Sequence, residues 1–327
     1  MPDTLEGKAV SLWVDTAAET DHPKLGGAVE VDVVIVGGGI AGLSAAVLLK
    51  QKGSRVAVIE AARVGTGVTG HTTGKVSSLH QLVYRELRRS FGVGGAQIYA
   101  EANQAAIEQV ARLVELESIE CDFQRVTNYT YAESGAALER VKDEAAIACQ
   151  LGLPAEFTDS VPLPYPVAGA VRLPDQAQLH ATNYLVGLAR SVAGDGSHVF
   201  EQTRVVGVKD GARCEVETEE GSITAGAVII ATNFPILDRG LFFARCHPHR
   251  SYLVALGYEG GPLDGTFISA DEPMRSILSY RTGDRNLLLV GGEGHRASEK
   301  VDLSKRYRKL ETWAREHFSV SSLEYRW

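Results

Sequence analysis

Several features that mark particular protein classes are missing from this chain. It has only four cysteines, Cys121, Cys149, Cys214 and Cys246, far apart and without a C-x-x-C pair. That argues against a disulfide framework and a dithiol redox motif and fits a reducing cytoplasm, the compartment expected here. No apolar run approaches about 18 residues, so no transmembrane helix is expected. The start, Met1-Pro-Asp-Thr-Leu-Glu6, lacks the basic stretch of a signal peptide. Positive charge is in deficit: 33 Lys and Arg stand against 41 Asp and Glu, a net charge of −8, which leaves no basic face for a nucleic acid. Cys246-His247-Pro248-His249 has the residue types of a metal site. No second ligand pair follows at a suitable spacing, so no metal is expected. Repeats and low-complexity tracts are also absent.

What remains is an ordinary globular composition over 327 residues, enough for a large core and about two domains. One stretch is far from ordinary. Residues 31–36 form an almost continuous apolar run, as in a parallel strand buried on both faces. Gly37, Gly39 and Gly42 follow in G-x-G-x-x-G spacing. The first permits a tight turn, the second lets the backbone approach a pyrophosphate, and the third lets helix and strand pack closely. Leu43, Ala46, Val47 and Lys50 recur at helical spacing and Gly53 is a natural stop. Residues 55–59 make a second strand ending on Glu60, where a carboxylate can hold a ribose diol. Strand, turn, helix, strand and acid in this order predict a dinucleotide site. The start of the helix, Ile40 and Ala41 included, offers free N–H groups to phosphates.

Further along, residues 1–27 read as an irregular arm that Leu12, Trp13 and Val14 can anchor. Helices are expected over 96–117, 138–151, 181–192 and 305–318. Residues 153–175 carry five prolines and read as extended or looped. Strands are expected over 122–131, 198–200, 204–209, 214–218, 222–224, 227–231, 251–258, 266–269, 276–281 and 286–290. A βαβ unit, then helices, then a mixed strand region suggest an α/β nucleotide-binding domain with a sheet-rich insertion.

Three features select FAD over NAD. After Glu60 comes a stretch rich in small and hydroxyl residues, from Arg63 through Thr69, Gly70, His71, Thr72 and Thr73 to Gly74, where backbone and Thr hydroxyls can meet an extended cofactor. The apolar strand ending at Ala231-Thr232 resembles the Ala-Thr-Gly turn of two-dinucleotide-fold flavoproteins, with Asn233 in place of the Gly. No second G-x-G-x-x-G follows a strand; Gly92-Val-Gly94-Gly95 lacks both the third glycine and the strand.

The chain resembles flavoproteins of the D-amino acid oxidase, glycine oxidase and sarcosine oxidase superfamily. It is most similar to the bacterial subfamily that often carries a C-terminal Rieske [2Fe-2S] domain. The resemblance lies in Ser11-Leu-Trp13, Gly67–Lys75, Tyr99–Ala106, Asp175–His180, Glu201–Val205, Ala231–Pro235 and Gly291–His295. The Rieske ligand pairs, C-x-H and C-x-x-H, are missing. The sequence reaches Trp327 before the segment that, in similar proteins, closes over the flavin ring, so the closing segment is expected to be missing. The resemblance implies an α/β fold with an α+β insertion. A two-dinucleotide-binding-type FAD domain would span 28–120, 180–240 and 288–327, and a mixed-sheet substrate domain 121–179 and 241–287.

It further implies oxidation of a small amine or amino acid by hydride transfer to flavin N5, the acceptor of the electrons being O2 or a redox protein. Expected cofactor contacts are Gly37, Gly39, Ile40, Ala41, Gly42, Glu60, Ala61, Arg63, Thr69, Gly70, His71, Thr72, Thr73, Gly74, Val205, Ala231 and Thr232. His71 stands where some relatives bond histidine covalently to flavin; a phosphate or ring contact and a structural role are the alternatives. Lys75 and His80 follow this loop as candidates to reach the ring, where a basic group would stabilise reduced flavin. Arg281 is the candidate fork for a substrate carboxylate, with Arg250 and Tyr252 behind it. His295, a further catalytic candidate, follows another glycine-rich turn; the turn is assigned to the flavin side and the role of the histidine is left open. Two other readings stay open: an incomplete, non-catalytic FAD binder, and an NAD(P)-linked dehydrogenase in which Arg63 meets a 2′-phosphate against repulsion from Glu60.

Overall fold

The structure is a computed structural model that describes residues 5–237 and 240–327. Two sheets organise it. In the first, of six strands, His198–Phe200, Val56–Ile59, Gly27–Val36 and Gly221–Ile230 lie side by side and parallel. Cys214–Thr218 and Val205–Lys209 extend it antiparallel. The helices Ile40–Gln51 and Ala181–Val192 pack on it, Leu43, Ala46 and Val47 meeting Leu185, Leu188 and Ala189 over Ile35, Val56 and Val58. The central strand is apolar because both its faces are covered. Residues 222–224 and 227–231, read as separate strands from sequence, belong largely to one ten-residue strand, Gly221–Ile230. Its neighbour Gly27–Val36 pairs with it from Gly27 to Val36. Gly226 looked like a break in isolation, and the long parallel partner carries the strand through it.

The second sheet has nine strands, mostly antiparallel. Eight run in the order Val320–Arg326, His249–Tyr258, Arg285–Arg296, Arg275–Thr282, Thr266–Ser269, Gln124–Ala132, Gly169–Gln178 and Lys75–Val76, and Glu156–Thr158 also pairs with Gly169–Gln178. The helix Leu303–His317 covers one face through Leu310 and Ala314. The other face, with Leu278, Tyr280, Leu287 and Leu289, joins the core of the first sheet. Residues 288–296 and 320–326, which the sequence reading grouped with the nucleotide-binding domain, therefore run in this second sheet. Residues 288–296 form a hairpin with Arg275–Thr282, while their other neighbour His249–Tyr258, which also pairs with 320–326, lies further away in sequence.

Other departures have local causes. The long helix runs Val83–Leu116, beginning earlier than expected and broken at Gly92, whose φ of 70° and ψ of −178° are open to glycine. Within the proline-rich stretch, Gly169–Gln178 is a strand despite Pro174. The ladder to Gln124–Ala132 slips there and Asp175 takes φ 57°, a bulge that absorbs the missing N–H. In the arm, Ser11 caps a short helix, Leu12–Asp15, with Leu12 and Trp13 fully buried.

Candidate functional site

A cleft of about 620 Å³ opens at the carboxyl ends of the parallel strands. It lies where Val56–Ile59 and Gly221–Ile230 flank Gly27–Val36 on opposite sides, the switch point at which open α/β sheets bind ligands. The glycine turn forms its floor. Gly37 has φ 116°, and a Cβ there would sit 2.6 Å from the Ala231 carbonyl oxygen. A Cβ on Gly42 would stand 2.0 Å from the Gly37 carbonyl oxygen, so close packing of helix on strand admits only glycine. Gly39 caps the helix Ile40–Gln51 without a side-chain hydrogen bond, leaving its first N–H groups for a ligand. Glu60 is aimed by two backbone donors, Gly38 N to Oε2 and Ala62 N to Oε1, both 2.9 Å.

Gly37, Gly39, Ile40, Ala41, Glu60, Ala61, Arg63, Thr69, Val205, Ala231 and Thr232 all line this cleft. Arg63 also donates to the Thr20 carbonyl at 3.1 Å, which ties the arm to the rim. Thr232 Oγ1 is buried without a hydrogen-bond partner, a group that a bound ligand would satisfy. The cradle therefore fits a dinucleotide: glycines leave room for the backbone to approach it, a helix start faces its phosphates, a carboxylate stands ready for a ribose, and an orphan hydroxyl lies further along.

The rest of the hydroxyl-rich loop supports this wall from behind. Gly42 and Gly70 lie beneath the surface; a Cβ on Gly70 would stand 1.9 Å from the Gly65 carbonyl oxygen. The Thr72 carbonyl accepts from Trp13 Nε1 at 2.8 Å. Thr73 is half-buried beside it. Gly74, at φ 80°, faces Trp13 and the Leu179 carbonyl. His71 is exposed, its Nδ1 2.8 Å from the Gly67 carbonyl, and lines a separate cavity of about 570 Å³ with Tyr307, Arg326 and Trp327.

The catalytic candidates are dispersed. Lys75 directly follows the loop, and its Nζ donates to the Phe267 carbonyl at 2.6 Å and Ser276 Oγ at 2.7 Å. No carboxylate offsets its burial, which pulls its pKa down to about 7. His80 is paired with Tyr99 at 2.8 Å, and burial lowers its pKa. Arg281 is exposed at a hairpin end, where its Nε donates to Gly283 O at 3.2 Å, and it does not line the cleft. His295 is buried between Tyr252, whose hydroxyl is 2.7 Å from Nε2, and the Arg296 carbonyl, 2.7 Å from Nδ1. Its glycine-rich stretch is part of the strand Arg285–Arg296. Arg250 is exposed, and no group of three or more potential metal ligands gathers among the described residues.

Two polar groups escaped the sequence reading. Buried Glu201 accepts from Val64 N at 2.6 Å and Thr20 Oγ1 at 2.7 Å, holding the base of the loop. Arg275 and Glu293 form a buried pair at 2.9 Å, with Arg306 and Lys309 also on Glu293. The stretches Glu201–Val205 and Gly291–His295 held a signal for Glu201 and Glu293; Arg275, Arg306 and Lys309, on another strand and a helix, had none.

Comparison with known proteins agrees with this geometry. Residues 32–327 match the family model DAO, described as FAD dependent oxidoreductase. A Bacillus subtilis protein named as a Rieske 2Fe-2S iron-sulfur protein, YhfW, is 31% identical over 97% of this chain and 63% of its own length. The chain thus spans less than two thirds of that relative. Gamma-glutamylputrescine oxidoreductase of Escherichia coli is 25% identical over 84% of this chain and 67% of its own. Among solved structures, glycine oxidase from Geobacillus kaustophilus superposes with a TM-score of 0.69 at 21% identity, covering 88% of this chain and 78% of that one, a likeness of fold. The chain belongs to the DAO family of FAD-dependent oxidoreductases.

Proposed function

We propose that the chain oxidises a small amine or amino acid at the C–H bond beside its nitrogen. The observation that carries this is the cleft itself, with Glu60 and the glycine turn at one end and the unpartnered Thr232 hydroxyl along its wall. The names of two relatives, gamma-glutamylputrescine oxidoreductase and glycine oxidase, support the amine class.

In this reading Gly37 and Gly39 receive the pyrophosphate of FAD, Gly42 lets the helix pack close enough to present its N–H groups, and Glu60 orients the adenine-side ribose. Thr69, Ala231 and Thr232 meet the cofactor toward its flavin half. Bound FAD would supply the two-electron acceptor for this oxidation. The nine-stranded sheet forms the substrate side. Lys75 stands at the junction of cofactor loop and sheet. Two neutral acceptors take its N–H groups, and the depressed pKa lets Nζ exchange a proton near neutral pH.

The test is spectroscopic. Purified chain should carry FAD, released on denaturation, and its visible flavin band should bleach anaerobically with some member of a panel of amines and amino acids. A chain that neither holds nor takes up FAD would sink the cofactor assignment. A flavin that no amine or amino acid reduces would sink the substrate class.

A further inference from the structure

In the arm before the nucleotide-binding strand, Ser11, Trp13 and Val14 meet the hydroxyl-rich loop. Ser11 Oγ accepts from Trp13 N, capping the helix Leu12–Asp15, and donates to the Gly70 carbonyl at 2.5 Å. Trp13 Nε1 donates to the Thr72 carbonyl at 2.8 Å. A Cβ on Gly70 would lie 2.9 Å from Val14 Cγ2, and one on Gly74 2.9 Å from Trp13 Cζ2. The loop thus has room for no more than glycine where the arm presses on it. Trp13 is in turn gripped edge-on by His180, at 5.2 Å between ring centroids, and by Tyr280 of the nine-stranded sheet, at 4.8 Å. Ser11, Leu12 and Trp13 are completely buried.

A buried loop carbonyl needs a donor, and a donor held in place elsewhere in the fold favours the loop conformation that meets it. Here two donors 59 residues away in sequence set the carbonyls of Gly70 and Thr72. The same loop carries Thr69 into the cleft beside Gly39. We infer that Ser11 and Trp13 are positioning residues for FAD, a clamp that presets the flavin-side loop before the cofactor arrives. This rests on the proposed reading that Thr69 and its neighbours meet the flavin half. A preset loop spares the ordering cost at binding, and that saving appears as affinity.

The test compares two ligands on the full chain. Ser11→Ala and Trp13→Phe should each weaken FAD binding about five- to tenfold, the scale of one lost hydrogen bond. ADP lacks the flavin half that the clamped loop is proposed to meet, and its affinity should stay within about twofold. Equal losses for FAD and ADP would mean general damage and overturn the clamp, as would FAD affinity unchanged in both variants. Should Trp13→Phe fail to fold, Ser11→Ala decides alone. Thr69→Val separates the two layers. If it leaves FAD affinity untouched, the flavin-side reading of the loop fails. If it weakens FAD while the arm variants do not, the clamp fails and that reading stands.

Discussion

The six-stranded and nine-stranded sheets deal with polar groups in opposite ways. At the carboxyl edge of the first, polar groups border a cleft: free N–H groups at a helix start, the carboxylate of Glu60, the buried and unpartnered hydroxyl of Thr232. In the second, the charged pairs and the histidine find partners within the protein, although Asn128 Oδ1, Arg275 Nε and Arg326 Nε stay buried without one. Arg275 and Glu293, only 6% and 4% exposed at their side chains, pair beneath the helix that also brings Arg306 and Lys309. His295 is enclosed by Tyr252 and a carbonyl. Polar groups left open at a strand edge mark a site for a ligand, whereas polar groups satisfied internally hold a scaffold. Lys75 belongs to neither pattern, since it is bonded to neutral acceptors only and sits where the two parts meet.

Glu293→Ala should break the scaffold side hardest. It leaves the Arg275 guanidinium buried without its carboxylate, a loss of about 3–5 kcal/mol in unfolding free energy by urea titration. Burial pushes the Glu293 carboxyl up, but Arg275 and Lys309 outweigh it and hold its pKa below the ordinary value. Its stabilising contribution is therefore present above the unfolded carboxylate pKa and lost as pH falls through the lower folded one. A loss under about 1 kcal/mol would show that the pair is not a structural unit.

On the ligand side, Gly42→Ala drives a methyl into the Gly37 carbonyl and should cost about 3 kcal/mol together with FAD occupancy, read from melting and from the flavin absorbance ratio. A variant that keeps its flavin would mean that the turn can move aside. Glu60→Ala removes charge-assisted contacts to the ribose and should raise the FAD dissociation constant about tenfold or more. Isothermal titration would measure this, and the melting temperature of the apoprotein would reveal any general damage.

The smallest effect concerns the junction. Folded Lys75 releases its proton near 7, the unfolded chain near 10.5. Between these values the unfolded state binds the extra proton, so this group makes stability rise with pH, by at most about 1.4 kcal/mol per pH unit. Lys75→Met should flatten that rise in urea titrations across the window. An identical slope in both proteins would place the Lys75 amine in contact with water.

The first sheet was far more legible in sequence than the second. In residues 31–60 the parallel strands, the turn and the acid are neighbours in the chain, and glycine spacing states its own geometric reason. The cleft lining from Gly37 to Thr69 was read in advance because it comes from one βαβ crossover and the loop that directly follows it. The far wall, Val205, Ala231 and Thr232, was legible only through resemblance, since Ala231 and Thr232 follow the strand that pairs with Gly27–Val36 and Val205 comes in beside the Thr203–Glu60 backbone bond. In the second sheet, Lys75 meets partners about 200 positions away and Arg275 meets Glu293 across a hairpin and Arg306 beneath a helix. Residue type and periodicity carry no record of such contacts.

The sequence alone pointed to a dinucleotide fold and to the glycine turn and acid that line its cleft, because a βαβ turn is short-range and its glycines answer steric needs. Tertiary structure decided everything that depends on non-local pairing. It assigned residues 288–296 and 320–326 to the nine-stranded sheet, left Arg281 at an exposed hairpin end, and buried Lys75 among neutral partners. It also brought Ser11 and Trp13 of the arm against the Gly70 and Thr72 carbonyls, contacts across 59 positions that no local pattern announces.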